Sequence, residues 1–90
     1  MKCVWDKKKA TENLRKHDVS IDETQTVFDD PLYVDFYDPD HSNDEHRFLI
    51  VGESRRGRLP IVSYTERCDA ARLISAREVT GKERKHYEET

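Results

Sequence analysis

The sequence has 90 residues, of which 39% are charged and 34% are hydrophobic. A chain of this length forms one domain with a thin core, because a small domain buries only roughly 60% of the surface that its unfolded chain exposes. We therefore expect a single domain over residues 1–90 that a partner protein partly covers. The opening MKCVWDKKK contains no apolar run. We therefore expect no signal peptide and no membrane span. The expected location is the cytoplasm.

The net charge of −3 hides an uneven distribution of charge along the chain. Residues 1–46 carry six Lys or Arg against twelve Asp or Glu, which gives −6, whereas residues 47–90 carry ten against seven, which gives +3. Eight of the ten basic residues in the second half are arginines. The planar guanidinium group suits phosphate better than the point charge of lysine does. The second half therefore has the composition of a phosphate-binding surface, although opposite charges in the two halves also suit docking to another protein.

The first predicted elements are a short strand and a helix. Val4 and Trp5 are compatible with a strand, and Asp6 is an N-cap residue for a helix over 7–17. Ala10, Leu14 and His17 fall on one stripe of that helix.

A second helix follows at once. Ser20 and Glu23 have the spacing of a capping box, and the helix is predicted to end near Phe28 because Asp29-Asp30-Pro31 follows.

The remainder of the chain alternates between β-rich segments and turns. The predicted strands are Leu32–Tyr37, Phe48–Gly52, Leu59–Thr65 and Arg72–Ala76. Glu53–Arg58 and Cys68–Ala71 are the turns between the last three strands, and Pro60 suggests an edge strand or a bulge because it lacks a donor. Thr80 and Glu83 form another capping box, which opens a C-terminal helix bearing Tyr87. The predicted class is α+β, with N-terminal helices, an antiparallel meander and a closing helix.

The last hairpin carries the predicted functional residues. If Asp69-Ala70 forms its turn, opposed pairs have residue numbers that sum to 139. These pairs are Arg67 with Arg72, Tyr64 with Ser75, and Val62 with Arg77. Two directly opposed arginines repel each other unless an anion lies between them. A phosphate could provide that anion, and so could the Glu66 carboxylate after a register shift. A solvated surface pair is the alternative. This register divides the arginines between the two faces of the sheet.

Polar residues of the first helix are further candidates. His17 ends the helix, where the helix dipole favours its protonated form, so it suits proton transfer or phosphate binding. Packing over the core is the alternative for His17. Lys9 and Asn13 either contact a nucleic acid or simply solvate a helix face.

No cofactor or metal site is predicted. The predicted acidic loop over 38–46 resembles half a calcium loop but lacks the glycine and the glutamate at the required spacing. His41 and His46 with Asp40 are too few for a convincing zinc site. Cys3 and Cys68 lack metal-ligand spacing, and two reduced thiols are expected rather than a disulfide. Without a phosphate-binding glycine loop, a nucleophile elbow or a Cys-x-x-Cys motif, most enzyme classes are excluded.

The remaining residue types suit metal-free cleavage of a phosphodiester. In that reaction a ribose 2′-hydroxyl attacks its own phosphate, and cationic donors stabilise the charge of the pentacoordinate transition state. A base near the 2′-oxygen and an acid near the leaving oxygen move the protons. Arginine provides the donors, and His, Glu or Tyr can provide the acid and base. A need for the 2′-hydroxyl restricts such an enzyme to RNA.

The sequence resembles the BrnT ribonuclease toxins of bacterial type II toxin–antitoxin systems, and the resemblance covers nearly the whole chain. The shared motifs, which are specific in their order and spacing, are Val4-Trp5-Asp6-x-x-Lys9-Ala10-x-x-Asn13-Leu14-x-Lys16-His17-x-Val19-Ser20, Val27–Pro31, Asp38-x-Asp40-His41, Glu45-x-Arg47-Phe48, Gly52-x-Ser54, Thr65–Arg67, Arg72–Arg77 and Glu83-x-x-x-Tyr87.

The resemblance implies a RelE-like fold and RNA cleavage that inhibits translation. It also implies a homodimer within a heterotetramer, formed with a BrnA-type antitoxin whose ribbon-helix-helix domain binds DNA. The catalytic residues that it suggests are Arg47, Arg67, Arg77 and His17, and the substrate-binding residues are Lys9, Glu66, Arg72 and Tyr87.

One departure from the family pattern concerns Tyr64. Many members are expected to have Val-His where this chain has Ser63-Tyr64. If that histidine transfers protons, Tyr64 would have to replace it.

A second hypothesis treats the chain as a non-enzymatic interaction module. In that interpretation the arginines bind carboxylates of an antitoxin, and the protein acts through its DNA-binding partner in transcriptional autoregulation. RNA cleavage by the purified protein discriminates between the two hypotheses.

Overall fold

The chain forms an α+β fold, as the sequence predicted, in a computed structural model that describes residues 2–38 and 46–88. The elements within these ranges, in chain order, are β1 (Lys2–Val4), α1 (Lys7–His17), α2 (Ile21–Val27), β2 (Val34–Asp38), β3 (Arg47–Val51), β4 (Pro60–Arg67), β5 (Ala70–Glu78) and α3 (Gly81–Glu88). No helix of the described ranges is both long enough and apolar enough to cross a membrane. The predicted acidic loop lies mostly outside these ranges.

The five strands form one sheet in the order β1-β5-β4-β3-β2. Strands β2 to β5 are the predicted antiparallel meander. The sequence assigned no partner to the first strand, and the structure adds it to the meander at one edge, where β1 pairs in parallel with β5. A parallel partner needs a long crossover connection, so no turn near β1 in the sequence indicates this pairing.

Local caps fix the two N-terminal helices where the sequence predicted them. The Asp6 side chain accepts a hydrogen bond from the Lys9 amide (3.2 Å), and the Ser20 side chain accepts one from the Glu23 amide (3.1 Å). The C-cap residue of α1 is Asp18, which is in the left-handed region with φ of 56°. Such side-chain caps satisfy amide groups that the first helical turn leaves unpaired.

The buried side of α1 differs from the predicted stripe. Leu14 is 47% exposed and His17 is exposed, whereas Asn13 is buried. The Asn13 amide group donates to the carbonyls of Ala76 (2.8 Å) and Val19 (3.1 Å) and accepts from the Ala76 amide (3.0 Å). Strand β1 pairs with β5 only as far as Arg72. Beyond that point the β5 edge has no strand of the described ranges beside it at Ala76, and the Asn13 side chain bonds the Ala76 backbone instead. Asn13 is therefore a structural residue.

The hydrophobic core lies between the first two helices and one face of the sheet. Its members include Val19 and Val27 from the helical region and Ile50, Val62 and Leu73 from the strands. Tyr64 belongs to this core, and its ring contacts those of Phe28 and Phe48. We call this side of the sheet the helix face and the opposite side the open face.

A buried ion pair joins α2 to the turn before β4. Glu23 is 4% exposed, and its carboxylate accepts hydrogen bonds from the Ser54 hydroxyl (2.7 Å) and the Arg58 guanidinium (2.9 Å at Nε). Arg58 also donates to the Asp18 carbonyl at the end of α1. These bonds lower the pKa of Glu23, chiefly through Arg58. The network ties the predicted turn to both helices.

The hairpin between β4 and β5 turns at Cys68-Asp69, one residue earlier than predicted. Both turn residues have positive φ, 48° and 65°. Positive φ at both central residues is the geometry of a type I′ hairpin turn, which matches the twist of the flanking strands. Arg67 is therefore opposite Ala70 instead of Arg72. Pro60 is the first residue of β4, where a missing donor is tolerated; the expected edge or bulge at Pro60 is wrong.

Candidate functional site

A β-bulge brings all the candidate arginines of the strands to the open face. Tyr64 pairs with Leu73 but Ser63 pairs with Ser75, so Ile74 is an extra residue on β5. An extra residue reverses the alternation of side chains that follows it. Arg77 consequently lies opposite Ile61 instead of Val62 and joins Arg72 on the open face. The prediction that strand register divides the arginines between two faces is wrong.

The open face carries a row of polar side chains that crosses four strands. Asp38 pairs with Arg47, Arg47 with Thr65, and Thr65 with Arg72. Directly paired residues share a face, and neighbouring strands lie roughly 4.8 Å apart, so the backbones of Arg47 and Arg72 are separated by about 10 Å. Arg67 lies two residues beyond Thr65 and projects from the same face. We call the surface formed by Arg47, Arg67, Arg72 and Arg77 the arginine face.

A shallow depression of about 360 Å³ lies at one side of this surface. The residues that line it are Asp38, Arg47, Leu49, Ile61, Ser63, Ile74, Ser75, Arg77 and Glu83. It combines two guanidinium groups and two serine hydroxyls, which can donate hydrogen bonds to a phosphate group, with two carboxylates, which can only accept.

Arg77 is anchored to α3 at the rim of this depression. Its two terminal nitrogens donate to the two Glu83 oxygens at 2.9 and 3.0 Å. Glu83 also accepts from the Thr80 amide (2.8 Å), which completes the predicted capping box. The Arg77 hydrogen bonds, aided by the Thr80 amide, lower the pKa of Glu83 to about 2. The guanidinium group is thus fixed in position by a carboxylate.

Thr65 lies in this row of polar side chains between Arg47 and Arg72, and the sequence analysis assigned no role to it. It is 4% exposed, and its hydroxyl has no hydrogen-bond partner among residues 2–38 and 46–88. The only indication in the sequence that Thr65 could be functional is that it belongs to the shared motif Thr65-Glu66-Arg67. Its position between two arginines depends on strand pairing.

His17 and Lys9 lie around a neighbouring depression of about 260 Å³. Both line it together with other residues of α1 and with Ile74 and Ser75 of the bulge. Ile74 and Ser75 also line the depression that holds Arg77. The β5 bulge therefore joins the two depressions, and the structure brings His17 and Lys9 to the border of the arginine face.

Glu66 and Tyr87 are not brought to the arginine face. Glu66 is opposite Ala71 and projects from the side of the sheet that carries Tyr64. The Tyr87 hydroxyl donates to the Leu32 carbonyl at 3.1 Å, and burial raises the pKa of Tyr87. Its contact fastens the C-terminal helix to the segment that precedes β2.

Tyr64 also lies away from the arginines. Its side chain is 1% exposed on the helix face, and its hydroxyl donates to the Asp35 carboxylate at 3.4 Å. Burial, reinforced by the nearby carboxylate of Asp35, raises the pKa of Tyr64. This position does not support the expectation that Tyr64 replaces a proton-transferring histidine, because the hydroxyl lies on the opposite side of the sheet from the arginines.

Two comparisons with known proteins, one by sequence family and one by structure, agree with each other. A family model described as the ribonuclease toxin BrnT of a type II toxin–antitoxin system matches residues 5–83. The fold is similar to the crystal structure of the Brucella abortus ribonuclease toxin BrnT, with a TM-score of 0.64 and 20% sequence identity over 89% of this chain and 97% of that one. No curated protein sequence matches significantly.

Proposed function

The chain belongs to the BrnT family of ribonuclease toxins of type II toxin–antitoxin systems, and we propose that it cleaves RNA on the arginine face without a metal ion. The observation that carries this proposal is the bulge at Ile74, which gives Arg77 the same face as Arg47 and Arg72. Several guanidinium groups on one surface can bind the phosphate under attack and the phosphates beside it. Fixed donors also stabilise the charge that develops in the transition state.

The proposed roles follow from the positions of the side chains. Arg47 and Arg77 border the depression and bind the phosphate under attack, as the catalytic arginines. Arg67, at the end of β4, extends that catalytic set, and Arg72 binds the RNA backbone. We propose no direct substrate contact for Glu66 or Tyr87, because one projects from the helix face and the other is bonded to Leu32.

His17 is the proposed proton-transfer group. It is exposed at the end of α1, with Lys9 beside it on the same depression. A histidine exchanges protons near neutral pH, whereas arginine stays protonated. In the proposed reaction the 2′-hydroxyl gives its proton to His17 and its oxygen attacks the adjacent phosphorus. The bond from phosphorus to the 5′-oxygen breaks, and that oxygen takes the proton back from His17, leaving a 2′,3′-cyclic phosphate.

A protein antitoxin is expected to cover the same surface, since the family is that of a toxin–antitoxin system. We propose a BrnA-type antitoxin with a ribbon-helix-helix DNA-binding domain, bound to a toxin dimer in a heterotetramer. Carboxylates of that protein would bind the arginines in the way that Glu83 binds Arg77. Free toxin would cleave RNA in the cytoplasm and so inhibit translation.

The test is cleavage of an RNA oligonucleotide by the purified protein, with and without EDTA, and with a 2′-deoxy substitution at the cleaved position. We expect cleavage that survives EDTA, stops with the 2′-deoxy substrate and yields a 2′,3′-cyclic phosphate end. Arg47→Ala and Arg77→Ala should each lower the rate by about 10²-fold or more. Arg84→Ala is the matched control, because Arg84 pairs with Glu88 on the C-terminal helix.

Other outcomes of this experiment would contradict the proposal. Cleavage abolished by EDTA would overturn the metal-free mechanism. Full activity of both arginine variants would overturn the assignment of the arginine face. Absence of cleavage at any excess of protein over RNA would favour the non-enzymatic interaction module.

A further inference from the structure

Thr65 combines two features that conflict in a purely structural residue. It is almost fully buried, and its hydroxyl has no partner in the described part of the chain. A buried hydroxyl without a hydrogen bond lowers the stability of the fold, because it has lost its bonds to water without replacement. Valine has nearly the same shape and would fill the same space in a strand without that cost. Packing alone therefore does not explain a threonine at this position.

The surroundings of Thr65 indicate what its hydroxyl could bind. Arg47 is paired with it on one side and Arg72 on the other. Arg67 follows two residues later on the same face. Every arginine of the arginine face except Arg77 is therefore an immediate neighbour of Thr65. A ligand that lies between Arg47 and Arg72 lies over Thr65.

Within residues 2–38 and 46–88, one other buried polar side-chain atom lacks a partner, and its surroundings differ from those of Thr65. Trp5 Nε1 is also unpaired, but Trp5 belongs to the core cluster on the helix face. Its indole contributes a large apolar surface to that core, and this explains its presence. Thr65 has no comparable apolar contribution, and its neighbours on the open face are cationic.

We infer that the Thr65 hydroxyl is a phosphate-binding group, which donates a hydrogen bond to a non-bridging oxygen of the RNA phosphate held between Arg47 and Arg72. This inference rests on the proposed function. The arginines attract the anion and neutralise its charge. The hydroxyl lies on the central strand of the sheet, so it fixes the position of that phosphate relative to the sheet. A hydrogen bond to an anion is stronger than one between neutral groups, which compensates in the complex for the cost in the free protein.

The inference predicts an unusual combination of effects for Thr65→Val. Loss of the hydrogen bond to phosphate should lower the cleavage rate and the affinity for RNA by about 10- to 100-fold. The melting temperature should stay the same or rise, since the variant removes an unsatisfied buried hydroxyl. Thr65→Ser retains the hydroxyl and should restore activity to within a few-fold of the wild type.

Thr24→Val is the matched control. Thr24 is a buried threonine of α2 whose hydroxyl donates to the Ser20 carbonyl at 2.8 Å. Its replacement should lower the melting temperature and leave the cleavage rate unchanged at a temperature where the variant is folded. The two valine variants should therefore show opposite effects on stability and activity.

Two measurements separate failure of this inference from failure of the proposed function. Cleavage is measured with an RNA oligonucleotide, and affinity is measured with the same oligonucleotide bearing a 2′-deoxy substitution that blocks cleavage. If the wild type cleaves and Thr65→Val equals it in both measurements, the hydroxyl does not bind phosphate. If the wild type binds RNA without cleaving it, the proposed function fails, and weaker binding by Thr65→Val still supports the inference. If the wild type does not bind RNA, both fail.

Discussion

Arg77 and Glu83 form a bidentate ion pair that joins the last strand to the C-terminal helix at the rim of the arginine face. The carboxylate occupies both terminal nitrogens of a guanidinium group that we assign to phosphate. It therefore has two opposing effects on RNA binding. It orients Arg77, and it competes with the phosphate for the same donors.

We predict that competition dominates, so that Glu83→Gln binds RNA more tightly. Removal of one negative charge beside a polyanion site should raise affinity roughly 2- to 5-fold at low salt, with a smaller gain as salt increases. Binding of a 2′-deoxy-blocked RNA at several salt concentrations is the measurement. Glu88→Gln, an equal change of charge on the same helix, should have a smaller effect. Weaker binding by Glu83→Gln would mean that orientation of Arg77 dominates.

The buried pair of Glu23 and Arg58 should make the fold sensitive to the loss of either partner. Glu23→Gln leaves the arginine without its buried carboxylate, which costs about 3 kcal/mol. For a domain of this size such a loss lowers the melting temperature by roughly 15 °C. Thermal unfolding followed by circular dichroism is the measurement, and Asp22→Asn on the exposed side of the same helix is the control. A change below a few degrees would contradict the structural role.

The same carboxylates predict how stability depends on pH. The pKa of Glu23 and that of Glu83 both lie below the ordinary value of 4.5, with that of Glu83 at about 2. The folded state therefore binds fewer protons than the unfolded state in this range, and stability is fully present above pH 4.5. It should be lost progressively as the pH falls from 4.5 towards 2. Denaturant unfolding at several pH values should show this acid limb, with a shallower slope in Glu23→Gln. An unchanged slope in that variant would contradict the assignment.

Asn13 should matter for stability and little for RNA chemistry. Asn13→Ala removes three hydrogen bonds and leaves the Ala76 amide and carbonyl of the β5 edge without this partner. We expect a loss of about 2–3 kcal/mol in the free energy of unfolding. The cleavage rate at a temperature where the variant is folded should be near that of the wild type. A large loss of activity in a fully folded variant would instead indicate a role in RNA binding.

The turn of the last hairpin offers a stabilising change. Cys68 and Asp69 both have positive φ, which costs residues with a Cβ of the order of 1 kcal/mol. The double variant Cys68→Asn, Asp69→Gly should raise stability by about 1 kcal/mol, because an asparagine followed by a glycine is favoured in type I′ turns. Thermal unfolding measures the gain. Equal or lower stability would contradict the turn type.

Strong local signals in the sequence predicted most of the secondary structure. Asp6 and Ser20 cap the helices through side chains three residues from the amides that they bind. The apolar alternation of the strands and the turns between them gave the meander. The family resemblance, drawn from motifs spread along the chain, is confirmed by the match over residues 5–83.

Contacts between residues that are far apart along the chain could not be predicted from the sequence. The parallel pairing of β1 with β5 and the burial of Asn13 depend on groups that are far apart along the chain. Local periodicity carries no information about such partners.

The hairpin of β4 and β5 shows most clearly which features the sequence determines and which depend on the tertiary structure. The sequence by itself determined that arginines accumulate in the second half and that two strands carry them. Only the tertiary structure decided that they share a face, because one extra residue at Ile74 reverses the alternation on β5 and brings Arg77 beside Arg47 and Arg72. Leu73 and Ile74 are two successive apolar residues that interrupt the alternation on β5, but only the pairing with β4 shows that this interruption is a bulge. The same pairing places the Thr65 hydroxyl between two arginines.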